Sequence, residues 1–189
     1  MKRITSIGLV LVSALVFGCG PSGSGPGGTT PAKDPTGKTL TDPRGNPLTE
    51  PAATKFKQGL DTLAQHDKAK DWNEATCTAT AEIFLDAAKE QEKPFTEALY
   101  NAGLSYQRCK KTAEAKAQFQ KALDADPKFH PAKTQLVMAS FYEGGEKNID
   151  QTISEMRQTA VVDAQYKNVE ALVALAMQIG RASCRERVS

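Results

Sequence analysis

The sequence has few of the side chains on which most enzymes and metal proteins depend. Its 189 residues include two histidines, His66 and His130, and four cysteines. Neither histidine lies close to a cysteine in the sequence, so a metal site or a Cys–His nucleophile has little support. Carboxylates are numerous but alternate with lysines, as between Glu90 and Lys93, which is typical of a solvated helix surface. We therefore expect no catalytic site, no metal and no cofactor.

The sequence also lacks the apolar length that a permanent membrane-spanning helix needs near its start. The apolar run from Ile7 to Phe17 is too short for that role, and it follows Lys2 and Arg3. A charged start before a short apolar core is the pattern of a secretory signal. We expect a signal peptide at residues 1–18.

The four residues Val16-Phe17-Gly18-Cys19 resemble the lipobox of bacterial lipoproteins. In that family a peptidase cuts before the cysteine, which carries a diacylglyceryl group. Phe17 departs from the pattern, since a small residue is more usual there. The resemblance implies lipidation of Cys19 and stable membrane attachment through its acyl chains; ordinary cleavage, with Cys19 incidental, is the alternative. Gly20 offers no acidic retention signal, so we expect an outer-membrane lipoprotein of the bacterial envelope that faces the periplasm.

Residues 19–50 have almost no bulky apolar side chain and are rich in glycine, serine, threonine and proline. Such a composition cannot offset the entropy of ordering the chain. We expect a lipidated, disordered linker here, which as a flexible coil would span roughly 30 Å.

The last residues, 179–189, resemble a translated sequencing adapter. They read Ile-Gly-Arg-Ala-Ser-Cys-Arg-Glu-Arg-Val-Ser, and can be back-translated as ATC GGA AGA GCG TCG TGT AGG GAA AGA GTG followed by a serine codon. The alternative is a basic tail that binds nucleic acid or membrane. We expect a non-native tail and exclude it from fold reasoning, which implies that the gene continues beyond Gln178.

The basic charge of the chain depends on these two ends. The whole sequence has 24 basic and 22 acidic residues. The part between the signal peptide and the tail keeps 19 basic and 21 acidic residues, a formal net charge of −2. It has no basic stripe with interleaved aromatics, so we expect no nucleic-acid partner.

The strongest pattern in the chain runs from Thr96 to Pro127. Apolar and small residues recur there at three- and four-residue spacing on two successive helices, with Pro94 before the first helix and Pro127 after the second. These positions are Leu99, Ala102, Gly103, Tyr106, Ala115, Phe119, Ala122 and Leu123. The stretch resembles a tetratricopeptide repeat, a helix hairpin that binds other proteins. An ordinary helical hairpin of another all-α fold is the alternative.

One such hairpin cannot bury its own apolar face, so further copies are expected on both sides. Downstream, residues 131–142 and 149–161 fit a second pair, and Val169 to Met177 would begin a fourth unit. Upstream, one helix carries Phe56 and Gly59, and a capping box with aspartate as the cap opens the next at Asp71. We predict an all-α fold: a tetratricopeptide-type α-solenoid over residues 51–178, with about three helix pairs plus a half unit.

Cys77 and Cys109 remain once Cys19 and Cys184 are assigned to the anchor and the tail. In an up-down array, the start of the helix that opens at Asp71 and the end of the helix that closes near Cys109 lie at the same end of the bundle. Because the compartment is oxidising, we predict a Cys77–Cys109 disulfide. Two small buried thiols that never meet are the alternative.

In the repeat family, first-helix residues between the packing positions line a concave groove that binds a protein or peptide partner. The resemblance implies a groove formed by Tyr100, Asn101, Leu104, Gln107, Arg108, Thr134, Gln135, Met138, Phe141 and Tyr142. Leu104, Met138 and Phe141 could instead pack between units.

The expected function is therefore that of a membrane-anchored, non-catalytic scaffold. Lipoproteins of this architecture resemble accessory parts of pilus, secretin or motility complexes. The alternative is a regulatory or recruiting arm of a larger envelope enzyme, truncated after Gln178. Repeats indicate an architecture and not a particular partner, so the partner and the oligomeric state stay open.

Overall fold

The computed structural model describes residues 30–144, 148–159, 177 and 180. The predicted signal peptide, the lipidation site Cys19, the helix from Val169 and the tail lie outside these residues, apart from Met177 and Gly180. Among the described residues, none of the helices is long and apolar enough to cross a bilayer.

Six helices follow one another in the described part of the chain, and each packs against the next. They are α1 (Glu50–Ala69), α2 (Glu74–Lys89), α3 (Thr96–Arg108), α4 (Thr112–Ala125), α5 (His130–Gly144) and α6 (Ile149–Thr159). They form three antiparallel hairpins, α1/α2, α3/α4 and α5/α6, stacked side by side. The all-α solenoid fold is confirmed. We call the contact of α2 with α3 the first junction and that of α4 with α5 the second junction.

The ends of the first two helices follow from local hydrogen bonding. The Thr49 side chain caps α1 by accepting from the backbone N–H of Ala52. At α2 the capping box is present, but its residues differ from the prediction. Asn73 is the cap: its side chain accepts from the Thr76 N–H, and the Thr76 hydroxyl oxygen accepts from the Asn73 N–H at 2.9 Å. The expectation that Asp71 caps this helix is wrong, because α2 begins at Glu74.

The first two hairpins have the same internal packing. In α3/α4, Gly103 lies against the ring of Phe119 so closely that an added Cβ would be 2.5 Å from the Cε1 atom. In α1/α2, Gly59 lies against Phe84 in the same way, with the Cβ at 2.6 Å. A glycine is needed at both places because the helices approach through it. The upstream hairpin therefore repeats the glycine–ring packing of α3/α4.

A cluster of three aromatic rings accompanies each of these glycines. Tyr100 contacts Phe119 and Phe129, with ring centroids 5.6 and 5.3 Å apart. At the corresponding place in the first hairpin, Phe56 contacts Phe84 and Phe95 at 5.7 and 4.8 Å. In each cluster the third ring, Phe129 or Phe95, precedes the first helix of the next hairpin and so joins neighbouring units.

The third hairpin uses a different pair at the equivalent position. Val137 takes the place of the glycine, and the fully buried Met156 takes the place of the phenylalanine. Val137 is larger than glycine, and Met156 is more flexible than phenylalanine, so the two side chains still fill the space between the helices. No ring replaces Tyr100, since the corresponding residue is Thr134.

The segment before the helices is folded, which corrects the predicted disordered linker for residues 30–49. Two eight-residue stretches, Lys33–Leu40 and Thr41–Leu48, repeat the pattern x-Asp-Pro-x-Gly-x-x-Leu. Each forms a tight turn with its glycine at positive φ, +86° and +82°. We call residues 30–49 the turn segment. The rest of the predicted linker, residues 19–29, lies outside the described residues.

Backbone hydrogen bonds close the turn segment into a triangle. The Ala32 N–H donates to the Leu48 carbonyl, Leu40 to Ala32, and Leu48 to Leu40, at 2.8 to 2.9 Å. These hydrogen bonds offset the conformational entropy that the segment loses when it folds. That loss is also smaller because proline restricts the unfolded chain at the turns. Amino-acid composition does not reveal this folded segment. The x-Asp-Pro-x-Gly-x-x-Leu pattern, repeated after eight residues, was the sequence feature that could have predicted it.

The turn segment packs against one end of the bundle. Leu48 contacts the cluster that contains Phe95 and Ala98 at the start of α3. Arg44 donates to the Pro94 carbonyl at 3.0 Å, and the Thr49 hydroxyl donates to the Glu90 carbonyl at 2.8 Å. We call this the turn-segment end.

A disulfide joins the helices at the opposite end. Cys77, near the start of α2, and Cys109, directly after α3, are bonded to each other, with Cα atoms 6.2 Å apart. This is the pair that the sequence analysis predicted. We call this the disulfide end, and the first junction is therefore held at both of its ends.

Candidate functional site

An open cleft of about 710 Å³ lies at the second junction, toward the disulfide end. It is formed by the last turn of α3, the loop after it, the first part of α4 and the stretch of α5 from Thr134 to Glu143. Its lining residues are Gln107, Lys110, Thr112, Ala115, Lys116, Phe119, Thr134, Gln135, Met138, Ala139, Tyr142, Glu143 and Met177. α4 and α5 make less extensive contact with each other than α2 and α3 do.

The deeper part of the cleft is apolar. Phe119 is fully buried beneath it, and Ala115 and Ala139 are small enough to leave space above the ring. Met138 is half-buried on the α5 side. A flexible thioether beside two alanines can adapt to apolar groups of different shapes.

The walls of the cleft are polar and are joined by two side-chain contacts. The Gln107 amide of α3 donates to the Gln135 amide of α5 at 3.0 Å. The Lys116 ammonium of α4 pairs with the Glu143 carboxylate of α5 at 2.9 Å. Both contacts cross between hairpins, and both are partly exposed, so each is weak enough to rearrange when a ligand enters.

The predicted groove residues divide into two groups. Five of them line the cleft: Gln107, Thr134, Gln135, Met138 and Tyr142. Tyr142 is the most exposed of these, at 66%. Thr134 is buried at the base, where its hydroxyl donates to the His130 carbonyl at 3.0 Å.

The other five predicted groove residues do not line this cleft. Tyr100 and Phe141 are 9% and 4% exposed, so the prediction that they face a ligand is wrong. Tyr100 is instead the centre of an aromatic cluster, which needs its ring inside. Leu104 is half-buried beside the same cluster, and the Asn101 amide donates to the Glu97 carbonyl of its own helix at 2.7 Å.

Arg108, the last of them, is bound at the disulfide end. Its guanidinium donates two hydrogen bonds of 2.9 Å to the carboxylate of Asp67 on α1. The same carboxylate accepts from the Trp72 indole at 2.7 Å. The Arg108 hydrogen bonds, with help from Trp72, hold the pKa of Asp67 below its usual value. Arg108 therefore links α3 to α1 and holds the first two hairpins together.

The contribution of α4 and of the loop before it to the cleft was not predicted. Lys110 in the loop and Thr112, Ala115 and Lys116 on α4 line the cleft, whereas the resemblance places ligand contacts on first helices only. The small residues Ala115 of α4 and Ala139 of α5, which both line the cleft, were the available signal for a gap at this junction.

Comparison with known families supports this reading of the fold. The family model described as Tetratricopeptide repeat matches residues 96–129, which comprise α3, α4 and Phe129. Among curated proteins, none matches the sequence. The matched region contains the Gly103–Phe119 contact, and the first hairpin repeats that contact with Gly59 and Phe84. Residues 96–129 are a tetratricopeptide repeat, and the helices around them form an all-α solenoid of the same type.

Proposed function

We propose that this protein is a membrane-anchored interaction module that binds a peptide segment of a partner protein in the second-junction cleft. The repeat itself supports a role in protein–protein interaction. The observation that carries the finer proposal is the open, apolar cleft of about 710 Å³ at the edge of that repeat. This volume is in the range of sites that bury several side chains of a ligand.

The cleft suits a peptide with one or two apolar anchors. Phe119, Met138 and the two alanines offer an apolar floor, and an anchor side chain buried there would supply most of the binding free energy. The amides of Gln107 and Gln135 stand beside that floor and can exchange hydrogen bonds with a peptide backbone. Lys110 and Lys116 lie on the α4 side of the opening.

The setting that we propose is the bacterial envelope, with lipidation at Cys19 and assembly of an envelope complex as the role. Two features support it. The start of the sequence has the pattern of a lipoprotein signal. A disulfide between Cys77 and Cys109 suits an oxidising compartment, where such bonds persist.

Photo-crosslinking in the native cells tests the cleft as the binding site. A photoreactive phenylalanine replaces Met138 inside the cleft or, as a matched control, the exposed Lys121 on the other side of α4. We expect an adduct from position 138 and none from position 121. Adding Ala139→Leu, which places a branched side chain over the apolar floor of the cleft, should remove the adduct. Equal adducts at both positions, or an adduct that survives Ala139→Leu, would contradict the proposal.

A further inference from the structure

The turn segment fixes which end of the domain is attached to the preceding chain. The Glu50 N–H donates to the Thr30 carbonyl at 3.0 Å, so the chain enters the fold directly beside the start of α1. The contacts from Arg44 to Pro94 and from Lys93 to Asn46 hold this entry point against the loop between α2 and α3. The attachment is therefore at the turn-segment end.

The cleft lies nearer the opposite end of the bundle. Gln107 and Lys110 lie at or beyond the last turn of α3, while Thr96 begins that helix at the turn-segment end. Gln107 lies eleven positions after Thr96 in the sequence. At 1.5 Å per helical residue, Gln107 at the edge of the cleft lies roughly 15 to 20 Å from the attachment end.

The chain that precedes the fold is short. If Cys19 carries the lipid, the ten residues Gly20–Thr29 separate it from Thr30. In any conformation, ten residues span at most about 35 Å. The predicted span of a longer linker from Cys19 to residue 50 therefore does not apply, because residues 30–49 are folded against the helices.

From these positions we infer that the turn-segment end faces the membrane and that the cleft is presented on the side away from it. This inference rests on the proposed lipidation and on the proposed peptide site. The folded domain is tethered to the membrane through its turn-segment end and cannot enter the bilayer. Its turn-segment end is therefore on average closer to the membrane surface than its disulfide end. The partner is then a segment that reaches the cleft from the aqueous side, such as a flexible extension of a periplasmic domain, and not a segment that leaves the same bilayer.

Distance measurements on vesicles test this orientation. The full chain is purified with its lipid and reconstituted into phosphatidylethanolamine/phosphatidylglycerol vesicles that contain an acceptor dye on the headgroup. A donor dye is attached to p-azidophenylalanine at one of two exposed lysine positions, Lys38 in the turn segment or Lys68 near the end of α1. These positions lie at opposite ends of α1, which at 20 residues is about 30 Å long.

We expect more energy transfer from position 38 than from position 68. Inserting twenty Gly/Ser residues between Thr29 and Thr30 should reduce the difference in energy transfer between the two positions, because a longer connection lets the domain rotate relative to the membrane. Equal transfer from the two positions, or more transfer from position 68, in protein that mass analysis shows to be lipidated would overturn the inference and leave the anchor standing. Protein without lipid would overturn the proposed anchor together with the inference.

Discussion

The two junctions between hairpins are built from equivalent helices but are closed to different degrees. At the first junction, α2 meets α3 with Ala81 and Ala102 fully buried, a disulfide at one end and the turn segment at the other. At the second, α4 and α5 enclose an open cleft crossed by one amide contact and one ion pair. The repeat therefore supplies a stacking geometry, while residues outside its packing positions decide whether a junction is closed or open to a ligand.

This difference suggests a division of labour along the solenoid. The first two hairpins form a rigid support because their junction is fixed covalently and by packing. The third hairpin has Thr134 at the position of Tyr100, and Val137 against Met156 in place of a glycine against a ring. An interaction site at the junction between a rigid and a less constrained unit can adjust to its partner without unfolding either one.

Removing the disulfide should have the largest effect on stability. The Cys77→Ser/Cys109→Ser variant frees a loop with a sequence separation of 32 residues. The chain-entropy model then predicts a loss of about 3–4 kcal/mol in the free energy of unfolding. Urea unfolding measures it, and reductant should destabilise the wild type but not the variant. If the loss is below about 1 kcal/mol, the first junction does not depend on its covalent link.

The two glycine–ring contacts should be equally sensitive, although the junctions beside them differ. Gly59→Ala and Gly103→Ala each place a Cβ less than 3.0 Å from a buried phenylalanine ring. We expect each to destabilise the protein by about 1–3 kcal/mol through overpacking, reduced by the better helix propensity of alanine. Thermal or urea unfolding of the two variants gives the comparison. A much smaller loss for Gly103→Ala would mean that the openness of the second junction extends into the α3/α4 hairpin.

Replacing one alanine at each junction with leucine should show directly which junction is closely packed and which is open. Ala81 is fully buried at the first junction, whereas Ala139 lines the cleft at the second. Ala81→Leu should cost about 1–3 kcal/mol because the site is full. Ala139→Leu should change stability by less than about 1 kcal/mol, because its added methylenes can enter the cleft. Urea unfolding tests both, and similar losses would show that the second junction closes in solution.

The sequence allowed much of the fold to be predicted, but only five of the thirteen residues that line the cleft were predicted as groove residues. Periodicity and the small Ala102-Gly103 pair indicated the α3/α4 hairpin, since those features depend on local spacing. The Cys77–Cys109 pair followed from the direction of the helices. The cleft could not be placed in this way, because its lining comes from helices that are distant from one another in the sequence, and local spacing does not report how closely such helices pack. The turn segment was missed because its stability comes from backbone hydrogen bonds, which composition does not report.

The smallest expected effect concerns an ion pair that belongs to the closed half of the molecule. Because the Arg108 hydrogen bonds lower the pKa of folded Asp67, this pair stabilises the protein above the unfolded-state pKa of about 3.9. Its contribution is lost as the pH falls through the lower pKa of the folded state. Both side chains are more than a third exposed, so solvent screening limits the contribution to under about 1 kcal/mol.

A double-mutant cycle isolates this contribution. Asp67→Asn and Arg108→Gln should each lower the free energy of unfolding at pH 7, and the double variant should lose less than the sum of the two. Urea unfolding between pH 7 and pH 2.5 should show a coupling that weakens toward the acid end. A coupling of unchanged size across this range would mean that Arg108 acts by packing and not by charge. The Asp67–Arg108 contact between α1 and α3 would then be an uncharged contact in effect, like that of Gln107 with Gln135 at the second junction. The two junctions would then differ only in the disulfide and the turn segment.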